Sequence, residues 1–166
     1  MVGIFELEAD KELAKELFRE KTLIIFEEAK DYLILMNYAY QKKIYREAVR
    51  FAYESSMLVA EAVASYKGYE IRKRDCHLQS ANILKEYKNE FNISQKDIDI
   101  IEGIRQIRNY FVHPENHFDK IKPNLEYQKE AMEGGKSSIK MYNAVANIFS
   151  KSYSLPLSFF NIPFTL

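Results

Sequence analysis

Cysteine, glycine and proline are all scarce in this sequence, and tryptophan is absent. The chain of 166 residues has one cysteine, Cys76, so no disulfide can form within it, which fits a reducing cytosol. Its five glycines and four prolines leave few residues that interrupt or end helices. Because lysine, glutamate, leucine and alanine are plentiful, the composition favours long helices.

The sequence also lacks an excess of charge of either sign and any long apolar run. Its 24 Lys and Arg residues balance 24 Asp and Glu residues, which excludes a globally basic surface that would hold nucleic acid by charge alone. No run of about 18 apolar residues is present, so we expect no membrane span. The first ten residues lack a basic stretch followed by an apolar run. We therefore expect no signal peptide and a cytoplasmic protein.

Apolar residues recur at helical spacing over most of the chain, and no useful stretch alternates with the period of a β-strand. The length fits one domain, residues 1–166. We predict an all-α fold, an antiparallel up-and-down bundle of about five helices joined by short loops. The predicted helices span residues 10–41, with a break near 21–22 left open, then 45–67, 76–91, 94–113 and 126–151.

Single residues mark several of the predicted helix ends. Gly68 is placed for a left-handed C-terminal cap, and Asp75 is placed to cap the third helix. Ser94, followed three residues later by an acidic side chain, resembles the capping box at the start of the fourth helix. Pro114 disfavours helical geometry in the residue before it, so the fourth helix is expected to end near His113.

Three features fit the bundle pattern less well. The Gly134-Gly135 pair predicts either a kink in the last helix or a later start for it. A helical N-terminal extension covers about residues 1–26, and an apolar, proline-interrupted tail covers about residues 152–166. Since an exposed apolar tail would be a sticky patch, we expect it to pack on its own bundle or on a second subunit.

The fourth predicted helix separates an apolar face from a polar one. At about 100° per residue, one face carries Ile100, Ile104, Ile107 and Phe111. The opposite side carries Arg105, Asn109 and His113, with Arg108 at its shoulder. The helix is therefore expected to anchor in the core and to present two arginines, an amide and a histidine outward.

That set of side chains suits cleavage of RNA without a metal. A histidine can exchange a proton near neutral pH, and an arginine fork matches phosphate oxygens. His113 can activate the ribose 2′-hydroxyl or protonate the leaving 5′-oxygen, while an arginine stabilises the charge on phosphorus. The same residues also fit an ordinary polar helix end, in which Arg105 pairs with Glu102 and His113 interacts with the helix dipole.

The run Arg108-Asn109-Tyr110-Phe111-Val112-His113 resembles the Arg-x4–6-His motif of the HEPN superfamily, with Asn109 as the polar residue after the arginine. The stretch 47–56, followed by Glu61-Ala62-Val63, resembles the second helix of that family. His77-Leu78 resembles the start of its third helix. The resemblance covers about residues 29–149.

This resemblance implies a helical homodimer whose two motif copies form one cleft. It implies a metal-independent endoribonuclease, of the toxin or RNA-processing type, with Arg108 and His113 as the catalytic pair. Asn109 would support them and Arg105 would contact phosphate. The family also contains non-catalytic subunits that bind nucleotide or RNA beside a nucleotidyltransferase, and an antitoxin is a further implied partner. A helical protein-interaction module without a nucleic-acid role is the third alternative.

The sequence departs from the family in one place and offers no metal site. Members that are controlled by tyrosine modification carry a tyrosine two positions after the histidine, where this chain has Glu115. That residue would place a negative charge beside the expected phosphate. The chain has no Glu-x-x-His pair and only three histidines, His77, His113 and His117. We therefore expect neither a metal nor another cofactor.

Overall fold

A computed structural model describes the backbone of residues 4–166 and the side chains of residues 15–166. Within that part of the chain there is no strand, and the prediction of an all-α bundle is confirmed. The α-helices, in chain order from α1 to α6, are Ile4–Gln41, Tyr45–Tyr66, Cys76–Tyr87, Gln95–Val112, Pro114–His117 and Gln128–Ser152. Short 3₁₀ turns span Phe118–Lys120, Asn124–Tyr127 and Leu157–Phe160. The α5 segment is a single turn, so five longer helices make the bundle.

The first helix is continuous through Lys21 and Thr22, where the sequence pattern allowed a break. Thr22 is fully buried, and its hydroxyl hydrogen-bonds both the Phe18 carbonyl within α1 and the Ser65 hydroxyl of α2. A polar side chain that is satisfied inside a helix–helix contact need not end the helix. The helix begins at Ile4, earlier than the predicted start near residue 10.

The second helix is the centre of the bundle, and hydrogen bonds tie it to its neighbours. The Ser55 hydroxyl donates to the Ala29 carbonyl of α1, and the Ser138 hydroxyl of α6 donates to the Ala52 carbonyl. These contacts leave the small residues of α2 buried against α1 and α6, so the helices approach closely. The predicted left-handed cap after α2 is also confirmed, because Gly68 has φ +84°.

The α2 helix runs antiparallel to α1 and α4 but parallel to α6. The α3 helix also lies parallel to α2. Its first turn contacts α2 where the His77 ring lies 5.6 Å from the Tyr53 ring. Its end contacts the end of α2, where Lys67 lies 5.1 Å from the Tyr87 ring. The non-helical stretch 67–75 therefore returns along α2 before α3 begins.

The ends of α3 and α4 test the predicted caps. The Ser94 hydroxyl accepts a hydrogen bond from the Asp97 backbone N–H at 3.1 Å, as a capping box requires. The cap predicted at Asp75 is wrong: this residue is left-handed (φ +61°) and its side chain makes no capping hydrogen bond with the described residues. The third helix ends at Tyr87 rather than near residue 91, because residues 88–92 form turns and Asn92 has φ +55°.

The last helix continues through its two glycines, so the late start does not occur. Both glycines are buried, and both lie where other elements come close. A Cβ on Gly134 would lie 2.9 Å from Ile104 Cδ1 of α4, and one on Gly135 would lie 2.7 Å from Leu166 Cδ1. Here glycine allows α6 to pack closely against its neighbours.

The apolar tail packs on its own bundle, which is the first of the two expected arrangements. Phe160 is buried, and its ring meets the Phe26 ring edge-on at 5.5 Å. The Tyr142 hydroxyl of α6 donates to the Phe160 carbonyl at 3.0 Å. Phe160 anchors the tail on its own chain, whereas Leu157 and Phe159 remain 49% and 54% exposed.

Candidate functional site

The inward face of α4 differs from the one that the helical wheel predicted. Ile104 is buried as expected, but Ile98 and Ile101 are also buried, whereas Ile100 is only half-buried. The buried stripe is therefore rotated, and Arg108, one turn after Ile104, falls within it instead of on its shoulder. The arginine of the motif thus lies between helices.

Arg108 is held by two residues of α2. Its Nη2 donates to Glu54 Oε1 at 2.8 Å, and the two side chains are 17% and 28% exposed. Its guanidinium carbon lies 5.7 Å from the centroid of the Tyr53 ring, which is within cation–π range. Its Nε is buried without a hydrogen-bond partner among the described atoms. The guanidinium is therefore fixed on one side and keeps unused donors on the other.

Tyr53 connects Arg108 to His77, a residue that the sequence did not mark as part of the site. The Tyr53 hydroxyl hydrogen-bonds His77 Nδ1. Burial raises the pKa of Tyr53 well above its usual value, and nearby Glu102 raises it further. Burial also lowers the pKa of His77, and the positive charge of Arg108 adds to that effect. The geometry therefore favours a neutral phenol and a neutral imidazole at pH 7.

Arg105 pairs within its own helix, as the alternative from helical spacing predicted. Its Nε donates to Glu102 Oε2 at 3.2 Å, and both side chains are about one-third exposed. Pairs of this kind contribute little to stability, on the order of 0.3 kcal/mol, so the arginine can exchange its carboxylate for another anion at small cost. Arg105 is close enough to the Tyr53–His77 pair to influence both pKa values.

His113 lies immediately after α4 and is directed away from the bundle. Its side chain is 57% exposed, and its Nδ1 lies 3.7 Å from Glu115 Oε1. Glu115, which occupies the position of the modified tyrosine in some family members, is thus beside the imidazole. The Asn109 carbonyl accepts the His113 backbone N–H at 3.0 Å, and Pro114, which has no N–H, cannot continue the helical pattern. The Asn109 side chain is half-buried.

The structure does not join the motif residues to one another within a single chain. Among the described side chains, no hydrogen bond or ion pair links His113 to Arg108 or to Arg105. Instead, Arg108 and Arg105 are grouped with Tyr53, His77 and two glutamates. Tyr53 and Glu54 lie in the segment 47–56, which resembles the second helix of a known family. That resemblance was the signal in the sequence that could have pointed to this group. His77 had a similar signal at the start of α3.

Two features are absent from the described residues, a metal-binding cluster and a membrane-spanning helix. No group of three or more His, Cys, Asp or Glu side chains there could hold a metal ion. Among the same residues, none of the helices combines the length and the apolar character that crossing a bilayer requires.

Fold and site together define an all-α bundle that carries an arginine–histidine segment at the end of one helix. The family model of the HEPN domain matches residues 23–148, which is more than half of the chain. The chain belongs to the HEPN family. The matched region includes α2, α3, α4 and all motif residues, and it leaves out the first part of α1 and the C-terminal tail. Comparisons with curated proteins and with solved structures gave no match.

Proposed function

We propose that this protein is a metal-independent endoribonuclease that works as a homodimer, with Arg108 and His113 as its catalytic residues. Arg105 contacts phosphate and Asn109 supports the helix end from which His113 projects. One observation carries the proposal: the family motif ends α4 with an exposed imidazole, while its arginine is anchored one and a half turns earlier. Two ionisable groups so arranged can act on one phosphodiester once a second copy brings its motif close.

The chemistry needs no other reactant than the RNA itself. His113 takes the proton of a ribose 2′-hydroxyl, and the 2′-oxygen forms a bond to phosphorus as the bond to the 5′-oxygen breaks. The leaving 5′-oxygen takes a proton, which the imidazolium of the second copy can supply. The guanidinium of Arg108 stabilises the extra negative charge on the phosphoryl oxygens during this exchange. The products are a 2′,3′-cyclic phosphate and a 5′-hydroxyl.

The surface around His113 suits contact with a second copy. Val112 is 40% exposed and Phe118 is 86% exposed, although both are apolar and lie within five residues of the imidazole. Exposed apolar side chains beside a polar site are typical of interfaces. Covering them would bury the imidazole and bring two copies of the motif together.

A non-catalytic binding subunit, beside a nucleotidyltransferase or an antitoxin, is the second candidate. The observation that favours it is the ion pair of Arg108 with Glu54, which neutralises the arginine in the free protein. Glu115 beside His113 acts in the same direction, because its charge disfavours a bound phosphate. A helical protein-interaction module is compatible with the same ion pair and the same exposed apolar residues.

The deciding experiment incubates single-stranded RNA with the protein in EDTA and compares three variants. We expect His113→Ala and Arg108→Ala each to reduce the cleavage rate by about 10²- to 10³-fold. Arg19→Ala is the matched control, because Arg19 also lies over a tyrosine ring (5.5 Å from Tyr153) and pairs with a glutamate (3.6 Å from Glu16) at a distance from the motif. It should cleave at the wild-type rate.

The possible results separate the candidates. Cleavage that survives in both motif variants would contradict the assignment of the active residues. A wild-type protein that binds RNA without cutting it would favour the non-catalytic subunit, and one that does neither would favour the interaction module. Sedimentation of the protein as a monomer at micromolar concentration would contradict the shared cleft.

A further inference from the structure

The proposed reaction leaves one titratable pair without a role, although that pair touches the catalytic arginine. Tyr53 is almost fully buried, and it has the Arg108 guanidinium over its ring and His77 at its hydroxyl. His77 is half-buried at the start of α3, so one edge of its ring is accessible. A single tyrosine therefore connects the motif on α4 to an ionisable side chain on α3.

The surroundings of the Tyr53 hydroxyl favour one tautomer of His77. Burial keeps Tyr53 protonated, and its hydroxyl hydrogen has no acceptor other than His77 Nδ1 among the described atoms, so the arrangement that satisfies this hydrogen has Nδ1 as the acceptor. The neutral imidazole must then carry its own hydrogen on Nε2. The charged groups around the ring are Glu54 from α2 and Glu102, Arg105 and Arg108 from α4.

The Nε2 side of His77 is open. None of the described side chains forms a hydrogen bond with that nitrogen, whereas Nδ1 is occupied. A histidine that is held through one nitrogen and free at the other presents a donor in a fixed direction. Arg108 is in the same condition, because Glu54 uses only one of its five N–H donors.

We propose that His77 Nε2 donates a hydrogen bond to a phosphate oxygen of the RNA backbone that Arg108 holds, so that α3 contributes a binding residue to the cleft. The proposal rests on the proposed function for the identity of its ligand, a single-stranded RNA phosphodiester. It assigns His77 to binding and Tyr53 to the positioning of the His77 ring.

The test measures binding separately from cleavage. The probe is a short, fluorescently labelled 2′-O-methyl oligonucleotide, which lacks the 2′-hydroxyl that cleavage needs, and the readout is anisotropy in EDTA. Loss of one hydrogen bond to a charged oxygen predicts at least about tenfold weaker binding for His77→Ala. His77→Gln keeps an N–H donor and should recover part of the affinity. In cleavage assays, His77→Ala should raise KM more than it lowers kcat.

Tyrosine variants provide the control for indirect effects. Tyr53→Phe keeps the ring under Arg108 but frees His77, and it should weaken binding about threefold. Tyr142→Phe also loses a buried hydroxyl hydrogen bond, the one to the Phe160 carbonyl, at a site away from the cleft. It should bind the oligonucleotide as the wild-type protein does.

Each outcome decides the proposal. Weaker binding by His77→Ala supports it even if the wild-type protein cleaves no RNA, in which case only the proposed reaction fails. Equal binding and equal KM for wild type and His77→Ala overturn it, even if cleavage through Arg108 and His113 is observed. Absence of binding by the wild-type protein overturns it too. If His77→Ala does not fold, the His77 ring signals of the wild-type protein must shift in NMR spectra when the oligonucleotide is added, and unchanged signals refute the contact.

Discussion

The same substitution, glycine to alanine, should have opposite effects on stability at a buried and at an exposed helical position. Gly134 lies inside α6, where a new Cβ would be 2.9 Å from Ile104 Cδ1 and 3.3 Å from Ile104 Cγ2. Gly103 lies inside α4 on its exposed side, where a new Cβ would have no described atom within 4 Å. Both positions are helical, so the gain in helix propensity is common to them.

The magnitudes follow from two competing terms. Replacing glycine by alanine inside a helix contributes about 0.8–1 kcal/mol to the free energy of unfolding. Forcing a methyl group into a filled core costs about 1–3 kcal/mol, because neighbouring side chains must leave their preferred rotamers. We therefore expect Gly103→Ala to stabilise the protein by about 0.8 kcal/mol. Gly134→Ala should destabilise it by about 1 kcal/mol once both terms are added.

A double-mutant cycle attributes the effect to one contact. Ile104→Val removes the Cδ1 atom and alone should cost about 1 kcal/mol. In the Gly134→Ala background the same change removes the steric overlap, so the double variant should be more stable than the sum of the single effects by about 1 kcal/mol. Urea denaturation followed by circular dichroism, at one protein concentration, measures all four free energies.

Two results would refute this reasoning about close packing. One is a Gly134→Ala variant that gains as much stability as Gly103→Ala. The other is a cycle in which the effects of the two substitutions simply add. Either result would mean that α4 and α6 do not meet at Gly134 as closely as the structure shows. The positions of Arg105 and Arg108 on α4 would then need to be revised as well.

Three further predictions concern buried polar groups. Asp97→Ala should lower the free energy of unfolding by about 2 kcal/mol, because it leaves the buried Ser137 hydroxyl without its 2.8 Å partner and removes a contact of the Ser94 cap. Urea denaturation measures this loss, and Asp99→Ala, at an exposed position, is the control. Burial raises the pKa of Tyr53, Tyr142 and Tyr153, so the unfolded chain loses these protons first, and the free energy of unfolding should fall as pH rises above about 10. For Tyr142→Phe the free energy of unfolding should fall less steeply with pH over that range, and a slope equal to that of the wild type would contradict this. The lowered pKa of His77 has the opposite direction: the unfolded chain binds a proton more readily, so stability should fall as pH drops below about 6.5, and His77→Gln should remove part of that loss in acid titrations.

Local patterns in the sequence were sufficient for most of the helices and for two of their ends. The Ser94 cap and the Gly68 cap depend on residues adjacent in sequence, so they could be predicted. The path of the chain through Gly134 and Gly135 could not, because the reason for two glycines is the proximity of Ile104 and Leu166. Those contacts are set by the whole bundle.

The candidate site shows the same limit. The motif could be located from sequence, but a helical wheel centred on Ile100, Ile104, Ile107 and Phe111 placed Arg108 at the edge of the polar face. In the structure Glu54 and Tyr53 bring that arginine inward, and they precede it by more than 50 residues. The grouping of His77 with Arg108 depends on α3 running parallel to α2, for which the sequence contains no local signal.

The direction and the small size of α3 also have a consequence for motion. Of its twelve residues only Ser80, Ala81 and Leu84 are buried, whereas thirteen residues of α2 are buried. Elements with little buried surface open most often while the rest of a protein stays folded. Backbone amides of α3 should therefore exchange with deuterium before those of α2 and α6. Local opening of α3 would carry the His77 imidazole away and leave the arginine and its glutamate in place.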